Sequence, residues 1–243
     1  MVNNQPLQGS DGPYPTRYRK FTPQDFERNA LRHIGGRDSI VPNALAALSP
    51  VPVPRTPEGQ CIAYLGRIVQ PGRFYNAVAD LDGDGVILPG ASLSSDELCA
   101  ETAAKLPSLG SGMLIRPNAV SEVGSGRDQC HCDLDVTHYD FAVMECDHLA
   151  IDLQEALLAK FIVDGLDIRA CTFSGGKSVH ALIWVGATDL ADYRAKVRPL
   201  FDALVPFGFD PATKNPSRMS RLPGSTRRLS DGTTRLQDLR YLA

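Results

Sequence analysis

The sequence predicts a mixed α/β or α+β fold, because β-like runs alternate with helical runs and one pair of runs is joined by a tight glycine turn. Three observations carry this. The apolar runs 168–173 and 179–185 flank Ser174-Gly175-Gly176-Lys177-Ser178, which reads as a hairpin. Tyr139-Asp140-Phe141-Ala142-Val143-Met144-Glu145 reads as a strand and is followed by a helical run over 152–162. A further helical run over 189–205 has Gly208 as its stop.

The earlier elements follow in order. Residues 1–20 are polar and rich in Gly, Pro and Asn, the composition of a mobile tail. Thr22-Pro23-Gln24-Asp25, then Phe26, Ala30, Leu31 and Ile34, give a short capped helix ending near Gly35-Gly36. Residues 49–57 are proline-dense, a linker or an extended edge segment. The expected organisation is therefore a tail, short helix and Pro-rich linker over 1–59, then a compact domain over 60–243. Within that domain 61–69 and 73–78 read as strands. Ser94 with Glu97 is a capping box opening a helix to about Lys105, and 112–117 reads as a strand. The sequence contains no internal repeat.

Composition bounds the function. With 243 residues, 43% hydrophobic and 22% charged, the chain has the profile of an ordinary soluble globular protein. No apolar run is long enough for a membrane span, and the N-terminus lacks a hydrophobic secretory core. Six cysteines without framework spacing suit reduced thiols in a cytoplasm. A net charge of −3 gives no global nucleic-acid signature, so such a partner requires a local basic patch.

Several motifs bear on chemistry. In the glycine turn, successive backbone N–H groups can converge on an anion with Lys177 adding charge, or the segment is a plain hairpin. Ser178 and His180, two apart on a strand, share a face. Gly176-Lys177-Ser178 imitates the end of a P-loop, but Cys171 stands where that loop needs its first glycine, and a strand rather than a helix follows. Residues 80–87 copy the start of an EF-hand loop, yet Ala91 occupies the position of the bidentate carboxylate, so an acidic turn is the expectation. Cys130-His131-Cys132 lacks a second pair at zinc-like spacing and reads as a surface loop with thiols.

Glu145 and Asp147 end a strand two residues apart and point to one face. Two carboxylates held together suit a divalent cation, or they belong to a solvated acidic turn. From Lys214 to Arg228 there are five cations (Lys214, Arg218, Arg221, Arg227, Arg228) and no acid. That is a local patch for a phosphate backbone, or a solvated basic loop.

The order Glu145-x-Asp147, Ser178-x-His180, Phe209-Asp210, then Arg221-Leu222-Pro223-Gly224-Ser225 resembles the archaeo-eukaryotic primase superfamily. The likeness is closer to its phage- and plasmid-borne primase-polymerase branch, where a Ser-Gly-Gly-Lys-Ser-x-His stretch and an Asn-Pro-Ser-Arg-x-Ser-Arg-x-Pro-Gly stretch recur. Ile115-Arg116-Pro117-Asn118 also fits, and the resemblance covers roughly 110–240. The first acid is glutamate where many relatives have aspartate, and the loop after Asp210 is compressed. The resemblance implies a central, mostly antiparallel sheet flanked by helices with an RRM-like core. It implies a DNA primase/polymerase that makes primers for a phage, plasmid or other mobile element. Two Mg²⁺ or Mn²⁺ ions would be held by Glu145, Asp147 and Asp210, these with His180 forming the catalytic set. Ser174, Gly175, Gly176, Lys177, Ser178, His180, Arg218 and Arg221 would bind the nucleotide, NTP or dNTP. Arg116, Lys214, Arg227 and Arg228 would bind the single-stranded DNA template. No helicase domain follows, so the expectation is a stand-alone enzyme or an excised domain with a helicase partner. The rival readings are a DNA-binding replication-initiation module that keeps the fold without synthesis, and an enzyme that joins or modifies nucleic-acid ends; no activated nucleophile supports the latter.

Overall fold

The computed structural model describes residues 21–79, 92–105, 112–126 and 130–243. The polar stretch 1–20 and the EF-hand look-alike at 80–87 lie outside them.

The fold is mixed α/β, with its strands in antiparallel sheets. The central sheet has the order β10 (Asp238–Leu242), β5 (Ile168–Phe173), β6 (Val179–Ala187), β4 (Tyr139–Met144), each neighbour antiparallel. A second sheet has the order β2 (Ser92–Ser94), β1 (Phe74–Ala79), β3 (Met113–Ile115), β7 (Ser220–Arg221). β8 (Thr226–Arg228) and β9 (Thr234–Leu236) form a separate two-stranded ribbon.

Alternation along the central strands sorts side chains to two faces. Met144 of β4 and Ala181 and Ile183 of β6 pack with α1 (Pro23–Ile34), α2 (Ala44–Leu48) and α5 (Ile151–Val163). Phe141, Val143 and Leu182 face the other way, onto Met113 and Ile115 of the second sheet and onto Cys61, Tyr64, Leu65 and Ile68 of α3 (Pro57–Ile68). α4 (Ser95–Lys105) adds Leu98 to this second core. α6 (Leu190–Leu204) covers Ala142 with Tyr193, Val197 and Phe201. Burying side chains of this size contributes about 1.5–3 kcal/mol each, which fixes the strand faces and therefore what lies at their ends.

Local signals explain most elements. The Thr22 hydroxyl accepts the Asp25 N–H while the Asp25 carboxylate takes the Thr22 N–H, a capping box, and Gly35 closes the helix at φ 91°. The Ser94–Glu97 box is likewise formed, with Ser94 N–H donating to Glu97 Oε2 at 3.0 Å. Asp189 caps α6 by accepting the N–H groups of Ala191 and Asp192.

One expected strand is a helix. Residues 61–69 lie mostly in α3, capped by Thr56 with Pro57 in its first turn. Its buried residues, Gln60, Cys61, Tyr64, Leu65 and Ile68, recur at helical spacing, and this tertiary face overrides the strand-like composition. The expected boundary near Gln60 falls inside this helix. Residues 21–59 also contribute Ala30 and Leu45 to the first core. The proline-dense segment is an extended edge: Val51 N–H donates to the Leu242 carbonyl at 3.2 Å, and the Ser49 hydroxyl takes the Leu242 N–H at 3.0 Å.

Candidate active site

The end of β4 meets the start of β6. Met144 pairs with Ala181, so the next residue along each strand brings Glu145 beside His180, on the face shared with Phe141, Val143 and Leu182. Glu145 Oε2 lies 3.0 Å from His180 Nε2, and Arg218 Nη2 donates to Glu145 Oε1. The backbone N–H of Arg221 donates to His180 Nδ1 at 3.4 Å, which leaves Nε2 as the N–H facing the carboxylate. Burial pushes the Glu145 carboxyl up, but the His180 bond and the Arg218 charge outweigh it and hold its pKa at about 2.

The loop carrying Arg218 is fixed from below. Buried Asn118 donates to the carbonyls of Phe141 at 2.7 Å and Pro216 at 2.9 Å, and accepts the Phe141 N–H at 2.7 Å. Asp133 accepts the Ser217 hydroxyl at 2.6 Å. Thus the 115–118 and 215–218 stretches meet over β4, a convergence that their separation in sequence hides. Arg116 is itself anchored, donating to the Asn76 side chain and, at 2.9 Å, to the His131 carbonyl, while burial pushes its pKa down.

The glycine turn is a hairpin turn closed by the Ser174 N–H on the Ser178 carbonyl at 2.9 Å. The Ser174 hydroxyl accepts the N–H groups of Gly176 and Ser178, each at 3.3 Å. Two donors expected to face an anion are therefore already taken. Sequence reasoning missed Gln154, which holds this turn from α5. It is 1% exposed, donates to the carbonyls of Leu149 at 2.7 Å and Lys177 at 2.9 Å, and accepts the Val179 N–H at 2.8 Å. One side chain thus ties the loop after Asp147 to the turn before His180. α5 also carries Asp152, Glu155 and Lys160, so the sequence does not separate Gln154 from the other polar residues of the helix.

These elements enclose a cavity of about 740 Å³, within the range of small-ligand sites. Glu145, Asp147, Gly176, Lys177, Ser178 and His180 line it, as do Arg116, Arg218, Arg221, Arg227 and Arg228. Arg235, which sequence reasoning did not single out, lines it too. Four expected site residues do not. Ser174 and Gly175 are buried beneath the turn, and Lys214 is exposed elsewhere. The Asp210 backbone N–H donates to the Glu145 carbonyl at 3.0 Å, but its carboxylate caps a 3₁₀ turn by accepting the Ala212 N–H at 2.8 Å.

Among the described residues no three His, Cys, Asp or Glu side chains converge on a common metal position. Glu145 and Asp147 do line one cavity, and the Asp147 carboxylate is exposed there. Two hard carboxylates beside room for phosphate oxygens fit the habit of Mg²⁺, which takes one or two protein carboxylates and completes its shell with water and substrate. His131 turns inward to the Ser121 carbonyl at 2.9 Å, so Cys130-His131-Cys132 presents no joint ligand set. Among the described residues no helix is long and apolar enough to cross a membrane.

Solved structures to which this chain is similar include the following. A crystal structure of primase RepB′ aligns with a TM-score of 0.49 at 19% identity, over 75% of this chain and 56% of that one. The catalytic domain of primase RepB′ in complex with initiator DNA gives 0.47 at 16% identity, over 74% and 85%. The AEP domain of the cyanophage S-2L primase-polymerase gives 0.41 at 21% identity, over 67% and 78%. The chain spans a little over half the length of the first of these. No family model matches the chain, and no curated protein matches it.

Proposed function

We propose that this chain is a template-directed nucleotidyltransferase, a DNA primase/polymerase acting on NTP or dNTP with a single-stranded DNA template. The observation that carries the reading is the seating of Glu145 between His180 and Arg218 in a cavity that also presents Asp147, Lys177 and Arg221. An acidic pair facing a set of cations suits a triphosphate with its counter-ions, and suits few other small ligands.

In this reading Glu145 and Asp147 would hold Mg²⁺ or Mn²⁺, while Asp210, whose carboxylate caps its own turn, reaches the site only through its backbone N–H on the Glu145 carbonyl. Bound there, the ions would supply charge that lowers the pKa of a 3′-hydroxyl and offsets that of the triphosphate. The protein's own part is positioning and charge. His180 orients Glu145 through Nε2–H, and Arg221 fixes the tautomer through Nδ1. Lys177, Ser178, Arg218 and Arg221 would take the phosphate oxygens, with Arg218 leaving Glu145 for the nucleotide. The bond from the 3′-oxygen to the α-phosphorus forms as the bond to pyrophosphate breaks, and the hydroxyl proton passes to water. Arg116, Lys214, Arg227 and Arg228 would contact the template.

A second reading, a DNA-binding initiation module that keeps the fold without synthesis, is favoured by one observation: both Glu145 oxygens already have protein partners. Calorimetric titration of a nucleoside triphosphate with and without Mn²⁺ separates the two. The enzyme reading expects Mn²⁺-dependent binding that Arg218→Ala weakens. Template binding without any Mn²⁺-dependent nucleotide binding would establish the second reading instead.

A further inference from the structure

Three residues in register form a row across the second sheet. Val78 of β1 pairs with Leu114 of β3, and Leu114 pairs with Arg221 of β7. Residues directly opposite each other in antiparallel strands point to one face. Met113 and Ile115, on either side of Leu114, point the other way, into the core shared with the central sheet. Val78 and Leu114 turn away from that core, and with Met219 they form a small apolar cluster of their own. Met219 stands two residues before Arg221, and it lines the cavity together with Leu114.

This cluster contrasts with its surroundings. Among the described residues that line the cavity, Leu114, Met219 and Leu229 are the only large apolar ones. The rest, apart from Gly176, are charged or polar. Phosphate oxygens and divalent cations gain nothing from an aliphatic wall. The flat face of a base and the carbons of a sugar do, because apolar surface leaves water there.

Position selects which part of a ligand meets the wall. Neighbouring strands lie about 4.8 Å apart, so the row from Arg221 through Leu114 to Val78 spans about 10 Å. Arg221 is among the residues proposed above to take phosphate oxygens. A nucleoside whose phosphates sit at Arg221 is therefore tethered within reach of Leu114. We propose that Leu114 and Met219, backed by Val78, are the subsite for the nucleoside of the bound triphosphate. This rests on the reading of the cavity as a nucleotide site. None of the three side chains carries a strong hydrogen-bond donor or acceptor, so the wall does not read base edges. Met219, unbranched and polarizable, adapts to purine and pyrimidine alike. The subsite thus accepts all four bases and leaves the choice among them to other contacts.

The test is calorimetric titration of the full chain in Mn²⁺ with the four common NTPs and dNTPs, and with inorganic tripolyphosphate. Tripolyphosphate carries the phosphate chain without the nucleoside. Wild type should bind the nucleotides more tightly, and that margin reports the subsite. Met219→Ala and Leu114→Ala should each narrow the margin about fourfold, the scale of one buried methylene, and equally for all bases. Tripolyphosphate affinity should stay unchanged. Met219→Leu keeps an apolar side chain of similar size and should retain the margin. Met219 lies outside the strands, so Met219→Ala decides the matter if Leu114→Ala does not fold. A wild type without a margin, or a Met219→Ala that leaves it intact, would overturn the proposal. So would an equal loss for tripolyphosphate, which would place Met219 at the phosphates or in the fold. Anisotropy of a fluorescent oligothymidylate should not change. A loss there with the margin kept would assign the wall to a base of the strand instead. A wild type that binds neither nucleotide nor tripolyphosphate in Mn²⁺ would refute the nucleotide reading itself, and the subsite with it.

Discussion

Glu145 Oε2 and His180 Nε2 lie 3.0 Å apart at the point where β4 and β6 end and begin, and the backbone N–H of Arg221 holds the far side of the same imidazole. A strand end, a strand start and the basic segment are thereby joined through one ring. The carboxylate, 13% exposed, is kept ionised against burial by that ring and by Arg218.

A pH dependence follows. The Glu145 pKa is lowered from 4.5 to about 2 in the folded protein. A depressed carboxyl stabilises the fold above the unfolded pKa, and that contribution fades as pH falls through the folded one. It should therefore be complete above about pH 5 and decline toward pH 2, on the order of 3 kcal/mol in all. Urea unfolding at pH 6, 4 and 2.5 should show Glu145→Gln losing less stability over this range than wild type. Parallel acid limbs would contradict the assignment.

Gln154→Leu tests the clamp between the acidic loop and the glycine turn. The substitution leaves the Leu149 and Lys177 carbonyls and the Val179 N–H without the side chain that now satisfies them. Stability should fall by about 2–4 kcal/mol, since buried groups left unmade cost more than the bond itself contributes. Gln154→Glu retains only the acceptor for Val179 and should also be destabilised. A chemical-denaturation midpoint unchanged in both would show that the turn is held by other means.

The glycine of the Arg221-Leu222-Pro223-Gly224-Ser225 stretch is fixed by packing. Gly224 has φ 87°, and a Cβ there would approach the Pro57 carbonyl oxygen to 2.1 Å. Gly72, at φ 74°, has open space around it. Gly72→Ala should cost only the left-handed backbone term, about 1–2 kcal/mol. Gly224→Ala should lower the thermal midpoint much further or prevent folding, because α3 must also move. Equal midpoints for the two variants would refute the close approach.

Much of this was legible in sequence because it is local. Thr22 with Asp25 and Ser94 with Glu97 carry their caps within four residues, and the hairpin over 168–185 is flanked by its own turn signal. The helix over 57–68 was hidden because Thr56-Pro57, its true start, sits in a proline-dense stretch and its apolar run resembles a strand. The C-terminal strands are short, and β10 carries an irregularity at Leu239–Tyr241 that blurs its alternation.

The candidate site divides in the same way. Glu145, Asp147, Lys177, Ser178, His180, Arg218 and Arg221 could be nominated from order along the chain, and the fold gathers them into one cavity. Asn118, Gln154 and Gln237 could not, since each is a buried amide whose partners lie on other elements. Asp210 shows the limit of motif order. Its backbone reaches Glu145 while its carboxylate serves its own turn.

The central claim is that Asp147 and Glu145 support metal-dependent nucleotide addition. It is tested most directly by extending a primed single-stranded DNA template in Mn²⁺ with wild type and Asp147→Ala. Template binding by each protein should be measured alongside. Asp147 is exposed, so the variant should fold, and template affinity should be retained. Product should fall by roughly a hundredfold or more, the scale of losing one preorganised charge at a transition state. Undiminished synthesis by Asp147→Ala would contradict the claim.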